Sequence, residues 1–243
     1  MPLIDIHAHY GDPPYAVCRS RIEDLAAAME RYHIERLMLA SAFAQTCNFI
    51  QGNAELQQAI EGREGMLGYV VVNAHYPEES AEQVRQYLTR PHFVGTYFHP
   101  ASTRQRVASE GTRLILDALR RYGKPVLIHT CSEQDVRDVV ELARDYSTLP
   151  FILGQMGGPA WETAIRATAN ILNCYLEIGA EQAARDKIKE ALAEVGPRRL
   201  LFGSNMNVLH PAYVAGMVRD ADISKQDRDR IFYRNALELF GLS

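Results

Sequence analysis

Cysteine pairs, an excess of positive charge and long apolar runs are all missing from this chain, and each absence removes a class of function. The four cysteines, Cys18, Cys47, Cys131 and Cys174, stand far apart with no Cys-x-x-Cys spacing. Neither a zinc knuckle nor a disulfide framework is built that way. Lys and Arg number 26 against 30 Asp and Glu, a net charge of −4, so a nucleic-acid partner is not expected. No stretch approaches the ~18 apolar residues of a membrane span, and no apolar segment follows a basic start. The expectation is a soluble protein without a membrane partner, intracellular and by default cytoplasmic. No Gly-x-Gly-x-x-Gly follows an early strand, so nothing favours a dinucleotide-binding sheet.

The chain has 243 residues, 47% of them hydrophobic, which is enough for one large core without a composition shift that would mark a second domain. Short apolar, β-branched runs alternate with amphipathic stretches. Strands are expected near 3–7, 36–40, 67–72, 93–98, 125–129, 151–154, 174–178 and 200–203. Helices are expected over 22–32, 53–61, 80–88, 110–122, 133–145, 161–169, 180–195, 211–219 and 225–240. In 110–122, Leu114, Ile115, Ala118 and Leu119 share one side. Eight such alternations, at roughly 30 residues each, match a (β/α)8 TIM barrel spanning 1–243, whose usual size is ~250 residues. An open doubly wound sheet is the alternative.

A barrel gathers its chemistry at the C-terminal ends of its strands. The first strand ends Ile6-His7-Ala8-His9, and residues two apart on a strand share a face, so two imidazoles point to one place. Tyr10-Gly11-Asp12-Pro13-Pro14 then reads as a loop. Strand four ends in Tyr97-Phe98-His99 and strand five in His129. Neutral imidazoles are the commonest transition-metal ligands, and three can hold zinc with one position open. His99 and His129 have a plainer reading as hydrogen-bonded core residues, and Glu177 as a structural salt-bridge partner. His210 beside Pro211 reads as a helix entry, and Trp161 as packing. Met156-Gly157-Gly158-Pro159 reads as a tight turn that lets backbone approach the pocket. The segment 43–52, with Gln45 and Cys47, is placed over the pocket mouth.

Six pieces together resemble the amidohydrolase superfamily, in its small barrel-only branch of metal-dependent hydrolases and decarboxylases. They are Asp5-Ile6-His7-Ala8-His9, Gly95-Thr96-Tyr97-Phe98-His99-Pro100, Pro125-Val126-Leu127-Ile128-His129, Ile152-Leu153-Gly154-Gln155-Met156-Gly157-Gly158, Arg199-Leu200-Leu201-Phe202-Gly203-Ser204-Asn205 and the closing segment 231–242. The resemblance implies one divalent metal ion, zinc first, on His7, His9 and His129, with a small-molecule substrate. It places a histidine where this chain has Gln155 and an aspartate where it has Asn205. Tyr97 stands where many members have lysine.

Those replacements alter the chemistry. A metal-bound water becomes a nucleophile when its pKa falls from 15.7 toward ~7, and a carboxylate then takes its proton. Asn205 keeps the shape of aspartate but cannot serve as a base, and Gln155 does not titrate. The first expectation is a metal-dependent hydrolase of a small amide, ester or lactone, with Asn205 and Gln155 orienting water or substrate. Tyr97, His99 and Glu177 are placed around the substrate. A decarboxylase of the same family is the alternative, as is a metal-free ligand-binding protein on a degenerate barrel. Homo-oligomerisation is left open.

Overall fold

The structure, a computed structural model, describes residues 2–12 and 20–242. Eight parallel strands pair in chain order: β1 (Leu3–Tyr10), β2 (Ile34–Ser41), β3 (Met66–Val72), β4 (Phe93–Phe98), β5 (Val126–His129), β6 (Phe151–Gly154), β7 (Cys174–Glu177) and β8 (Leu200–Leu201). The chain after β8 returns to β1 through an Ala8–Met206 bridge, with Ile6 N donating to Phe202 O at 3.0 Å and His9 N to Met206 O at 3.2 Å. Closure of the ring excludes the open doubly wound sheet. The fold is a (β/α)8 barrel.

Both faces of the sheet are buried, so two apolar sets alternate along each strand. Ile4, Ile6, Met38, Ala40, Tyr69, Val71, Tyr97, Leu127, Ile152 and Leu201 form the inner set. Leu37, Leu39, Val70, Val72, Ile128, Leu153 and Leu176 pack outward, against helix residues such as Ile115, Val139 and Ile188.

The alternation breaks once where it matters. Asp5 pairs with Leu37 but Ala8 pairs with Leu39, so β1 spends three residues where β2 spends two. This is a β-bulge, and one extra residue exchanges the two faces. Ile4 and Ile6 face inward before it; Ala8 joins the outward set after it. His7 and His9 therefore turn into the barrel. Backbone groups displaced from regular pairing find local partners: His7 N donates to Asp5 Oδ1 at 3.2 Å, and Tyr69 Oη donates to Ile6 O at 2.9 Å.

Most helices begin where their capping residues direct. Ser109, Ser132 and Ser224 accept from Thr112 N, Asp135 N and Asp227 N, opening Glu110–Leu119, Glu133–Asp145 and Lys225–Asp229. Three expectations need correction. The helix read over 180–195 begins only at Lys187, because Asp186 sits at φ 62°, outside helical space. The final helix is interrupted by a π-helical turn over Arg230–Arg234. The supposed mouth loop 43–52 is largely helical, in Ala42–Thr46 and the start of Phe49–Ile60, capped by Ser41 and Asn48. Pro13, Pro14 and Cys18 lie outside the described residues. Among the described residues no helix is long and apolar enough to cross a membrane.

Candidate metal centre and substrate cavity

Every residue expected to carry chemistry lies at one end of the barrel, but in two layers. His9, Tyr97, His99, His129, Gln155 and Asn205 line a cavity of about 420 Å³, with Gln45, Cys131, Glu181 and Gln182 among the other lining residues. His7 and Glu177 form the layer beneath and are closed to solvent. A larger groove of about 800 Å³ lies between the helices Lys187–Val195 and Pro211–Asp220, and none of the strand-end histidines lines it.

His7 is gripped on both edges. Its Nδ1 is 3.1 Å from Glu177 Oε2, and its Nε2 is 3.3 Å from Tyr97 Oη. Glu177 also accepts Gln155 N–H at 2.7 Å on Oε2 and Gly179 N–H at 2.5 Å on Oε1. Glu177, expected around the substrate, does not line the cavity; it is a buried partner of a strand-end histidine, as its plainer salt-bridge reading had it. His9 bridges two amides. Gln45 Nε2 donates to its Nδ1 at 2.9 Å, and its Nε2 donates to Asn205 Oδ1 at 2.8 Å. The ring centroids of His7 and His9 are 5.1 Å apart.

His99 and His129 stack face to face, centroids 4.1 Å apart and planes 13° from parallel. Ser102 N donates to His99 Nδ1 at 3.1 Å, which leaves the ring proton of neutral His99 on Nε2. Burial lowers the pKa of His9, His99 and His129 to about 3, helped by the neighbouring rings. Neutral rings can stack this closely; two imidazolium ions would repel.

The amides come from strained turns. Gln155 (φ 61°) and Met156 (φ 51°) lead into Gly157 and Gly158, both also at positive φ. Thr130 Oγ1 clamps this turn, donating to Gly154 O at 2.7 Å and accepting from Gly157 N at 3.0 Å. Gly158 and Pro159 then reach the cavity wall, as the sequence of the turn suggested. Asn205 (φ 52°) and Asn207 (φ 89°) shape the turn after β8. Beneath them Ser204 donates to Asp5 from both N (2.8 Å) and Oγ (2.5 Å). Burial nevertheless lifts Asp5 to a pKa of about 6.

Other expectations resolve as structure. His210 caps the helix Pro211–Asp220 and its Nε2 is 3.0 Å from Tyr32 Oη, outside the site. Trp161 packs against the core. Asn235 donates to Pro197 O and Leu200 O, both at 2.7 Å, tying the last helix to β8. Gln45 was legible only as part of a supposed loop, and Cys131 carried no signal beyond lying two residues past His129.

A metal can be tested against these donors. His7 and His9 are each held at Nδ1 by a side chain, leaving Nε2 on the opposite ring edge toward Tyr97 Oη and Asn205 Oδ1. An imidazole that ligates a metal donates from its other ring nitrogen. Glu177 holds His7 in that way, whereas His9 accepts from Gln45, whose amide must turn before His9 Nε2 can ligate. The expected set of His7, His9 and His129 is not brought together as ligands: among the described residues no three His, Cys, Asp or Glu side chains form a metal-holding group. The Asn205 amide oxygen stands 2.8 Å from His9 Nε2, and with His7 it would give a neutral set of two imidazoles and an oxygen. Such a set fits a divalent ion of borderline or hard character.

Comparison with known proteins agrees with the fold. A 2,6-dihydroxybenzoate decarboxylase from Rhizobium superposes with a TM-score of 0.80 at 14% identity, covering 100% of this chain and 99% of that one. A dihydroxybenzoic acid decarboxylase from Polaromonas sp. JS666, solved with manganese and the inhibitor 2-nitroresorcinol, gives 0.81 at 16%, covering 99% and 97%. A 5-carboxyvanillate decarboxylase from Novosphingobium aromaticivorans DSM 12444, complexed with manganese and 4-hydroxy-3-methoxy-5-nitrobenzoic acid, gives 0.73 at 17%, covering 90% and 80%. No curated protein matches by sequence. The amidohydrolase family profile matches residues 4–242, nearly the whole barrel and every strand end described above. The chain belongs to the amidohydrolase family.

Proposed function

We propose that this chain is a metal-dependent enzyme of the decarboxylase type, acting on a small carboxylate-bearing ring compound in the strand-end cavity. The observation that carries this reading is the pair His7 and His9, each held at Nδ1, with Asn205 Oδ1 2.8 Å from His9 Nε2. These three side chains would hold the ion, with His129 close by. When bound, a divalent ion supplies positive charge that anchors and polarises a carboxylate. The two imidazoles favour zinc, while the amide oxygen also admits manganese, and we choose manganese. The manganese-bearing decarboxylases of similar fold support the same choice.

The chain's own groups favour a non-hydrolytic reaction. Asn205 can donate an electron pair or a hydrogen bond, but it cannot take a proton from attacking water. Loss of carbon dioxide needs no attacking water: the bond from ring carbon to carboxylate breaks, carbon dioxide leaves, and the ring carbon takes a proton from solvent. The stacked His99–His129 pair and Tyr97 give the cavity a flat, neutral wall suited to a ring. His99 Nε2–H is a donor that would orient a substrate oxygen.

The test is the metal content of protein purified without chelator, by plasma mass spectrometry, with His7→Ala/His9→Ala as control. About one equivalent, lost in the control, followed by carbon dioxide release from hydroxybenzoates, is the expected result. No metal even after reconstitution with manganese or zinc would sink the reading.

One observation favours a second reading, a ligand-binding barrel without turnover. His9 carries its ring proton on Nε2 in the bond to Asn205, and ligation requires that proton on Nδ1, with Gln45 turning its amide oxygen toward it. In that reading small-molecule binding is unchanged by chelator.

A further inference from the structure

Glu177 is fully buried, yet three N–H groups converge on its two oxygens. Oε1 accepts from Gly179 N at 2.5 Å; Oε2 accepts from Gln155 N at 2.7 Å and lies 3.1 Å from His7 Nδ1. The space is made by glycine. A Cβ on Gly179 would lie 2.3 Å from Oε1, and one on Gly203 would lie 2.7 Å from it, so neither position admits a side chain without displacing the carboxylate. Lys187 is a second buried charge within its electrostatic reach; its ammonium has no hydrogen-bond partner among the described residues and lies 5.9 Å from the Trp161 ring.

Backbone N–H groups only donate, so both carboxylate oxygens are committed as acceptors. Nδ1 of His7 can complete that arrangement only by donating as well. We propose that Glu177 is a positioning residue that fixes His7 as the Nδ1–H tautomer, leaving the Nε2 lone pair on the side of Tyr97 and the cavity. This deepens the metal-centre reading and rests on the same site. The geometry also redefines position 155. Its main-chain N–H, aimed by a left-handed backbone, ties the turn after β6 to His7 through the carboxylate. The histidine that the family resemblance places at 155 is replaced, while the main chain at that position still braces His7.

The experiment uses full-length protein labelled with ¹⁵N at histidine, with His7 assigned through its backbone. Long-range ¹H–¹⁵N spectra of metal-free wild type are expected to show His7 protonated on Nδ1 alone. Glu177→Gln offers one acceptor oxygen where three N–H groups converge, so that signature should be lost. Its manganese affinity by calorimetry should fall roughly 10–100-fold. A wild-type His7 protonated on Nε2, or a variant with unchanged tautomer and affinity, overturns the proposal. If Glu177→Gln does not fold, the wild-type spectrum still decides. Wild type that binds no manganese overturns the functional reading instead, and the tautomer decides the role of Glu177 separately.

Discussion

The cavity has an imidazole side and an amide side, and they are built by different means. His9, His99 and His129 come from β1 and the ends of β4 and β5, where strand direction and one bulge aim side chains from ordinary backbone. Gln155 and Asn205 follow β6 and β8 in turns that hold Gln155, Met156, Asn205 and Asn207 at positive φ. Those are four of the seven described non-glycine residues with that conformation. Strain of about 1–3 kcal/mol per such residue persists only where surroundings over-determine it, commonly at functional sites. In the proposed reading one side supplies the electron-pair donors for a metal. The other carries amides where the family resemblance places titratable groups, on a demanding backbone.

The largest effect should come from making the two sides match. Asn205→Asp restores an anionic ligand, and Asp tolerates left-handed backbone much as Asn does. Divalent-metal affinity measured by calorimetry should rise at least about tenfold, because ligand charge is a main determinant of affinity. An unchanged affinity would mean that the amide side is not part of a metal centre.

Acid sharpens the comparison because only the imidazole side titrates. His9, His99 and His129 have pKa values of about 3 in the fold, below the ordinary 6.5, so the unfolded chain binds more protons between these values. Their contribution to stability is present above pH 6.5 and is lost as pH falls toward 3. Asp5 works the other way: raised from 3.8 to about 6, it favours the fold at low pH and loses that contribution as pH rises through 6. Three groups outweigh one, so the unfolding free energy from urea titrations should fall between pH 7 and 4.5, by on the order of a few kcal/mol. A flat profile would show that the rings are not held neutral by burial. The smallest effect belongs far from both sides. Arg137→Ala removes an exposed helical pair with Glu133 at 3.1 Å and should cost under about 0.5 kcal/mol in the same titration.

The barrel was legible because burial on both faces writes apolar runs of strand length, punctuated by amphipathic helices. β4 and β6 run over the expected 93–98 and 151–154. The donors at strand ends were legible for the same reason. Their partners were not. Glu177 meets His7 across 170 positions, and nothing local announces it. Gln45 reaches His9 from a five-residue helix too short to show a period; its only sign was Ser41 as a cap. The start of the helix at Lys187 was misplaced because Ala180, Ala183 and Ala184 favour helix, while the turn at Asp186 depends on tertiary context.

The bulge in β1 makes that strand two half-strands with opposite allegiances. Residues 3–6 answer to the barrel's packing, and residues 7–10 answer to its mouth. Were the same residues paired without the bulge, Ile4, Ile6 and Ala8 would share the inner face and both imidazoles would swing under the helices. The same barrel would then stand without the two imidazoles of its first strand. In this chain the difference between a scaffold and a site is a single residue of slack.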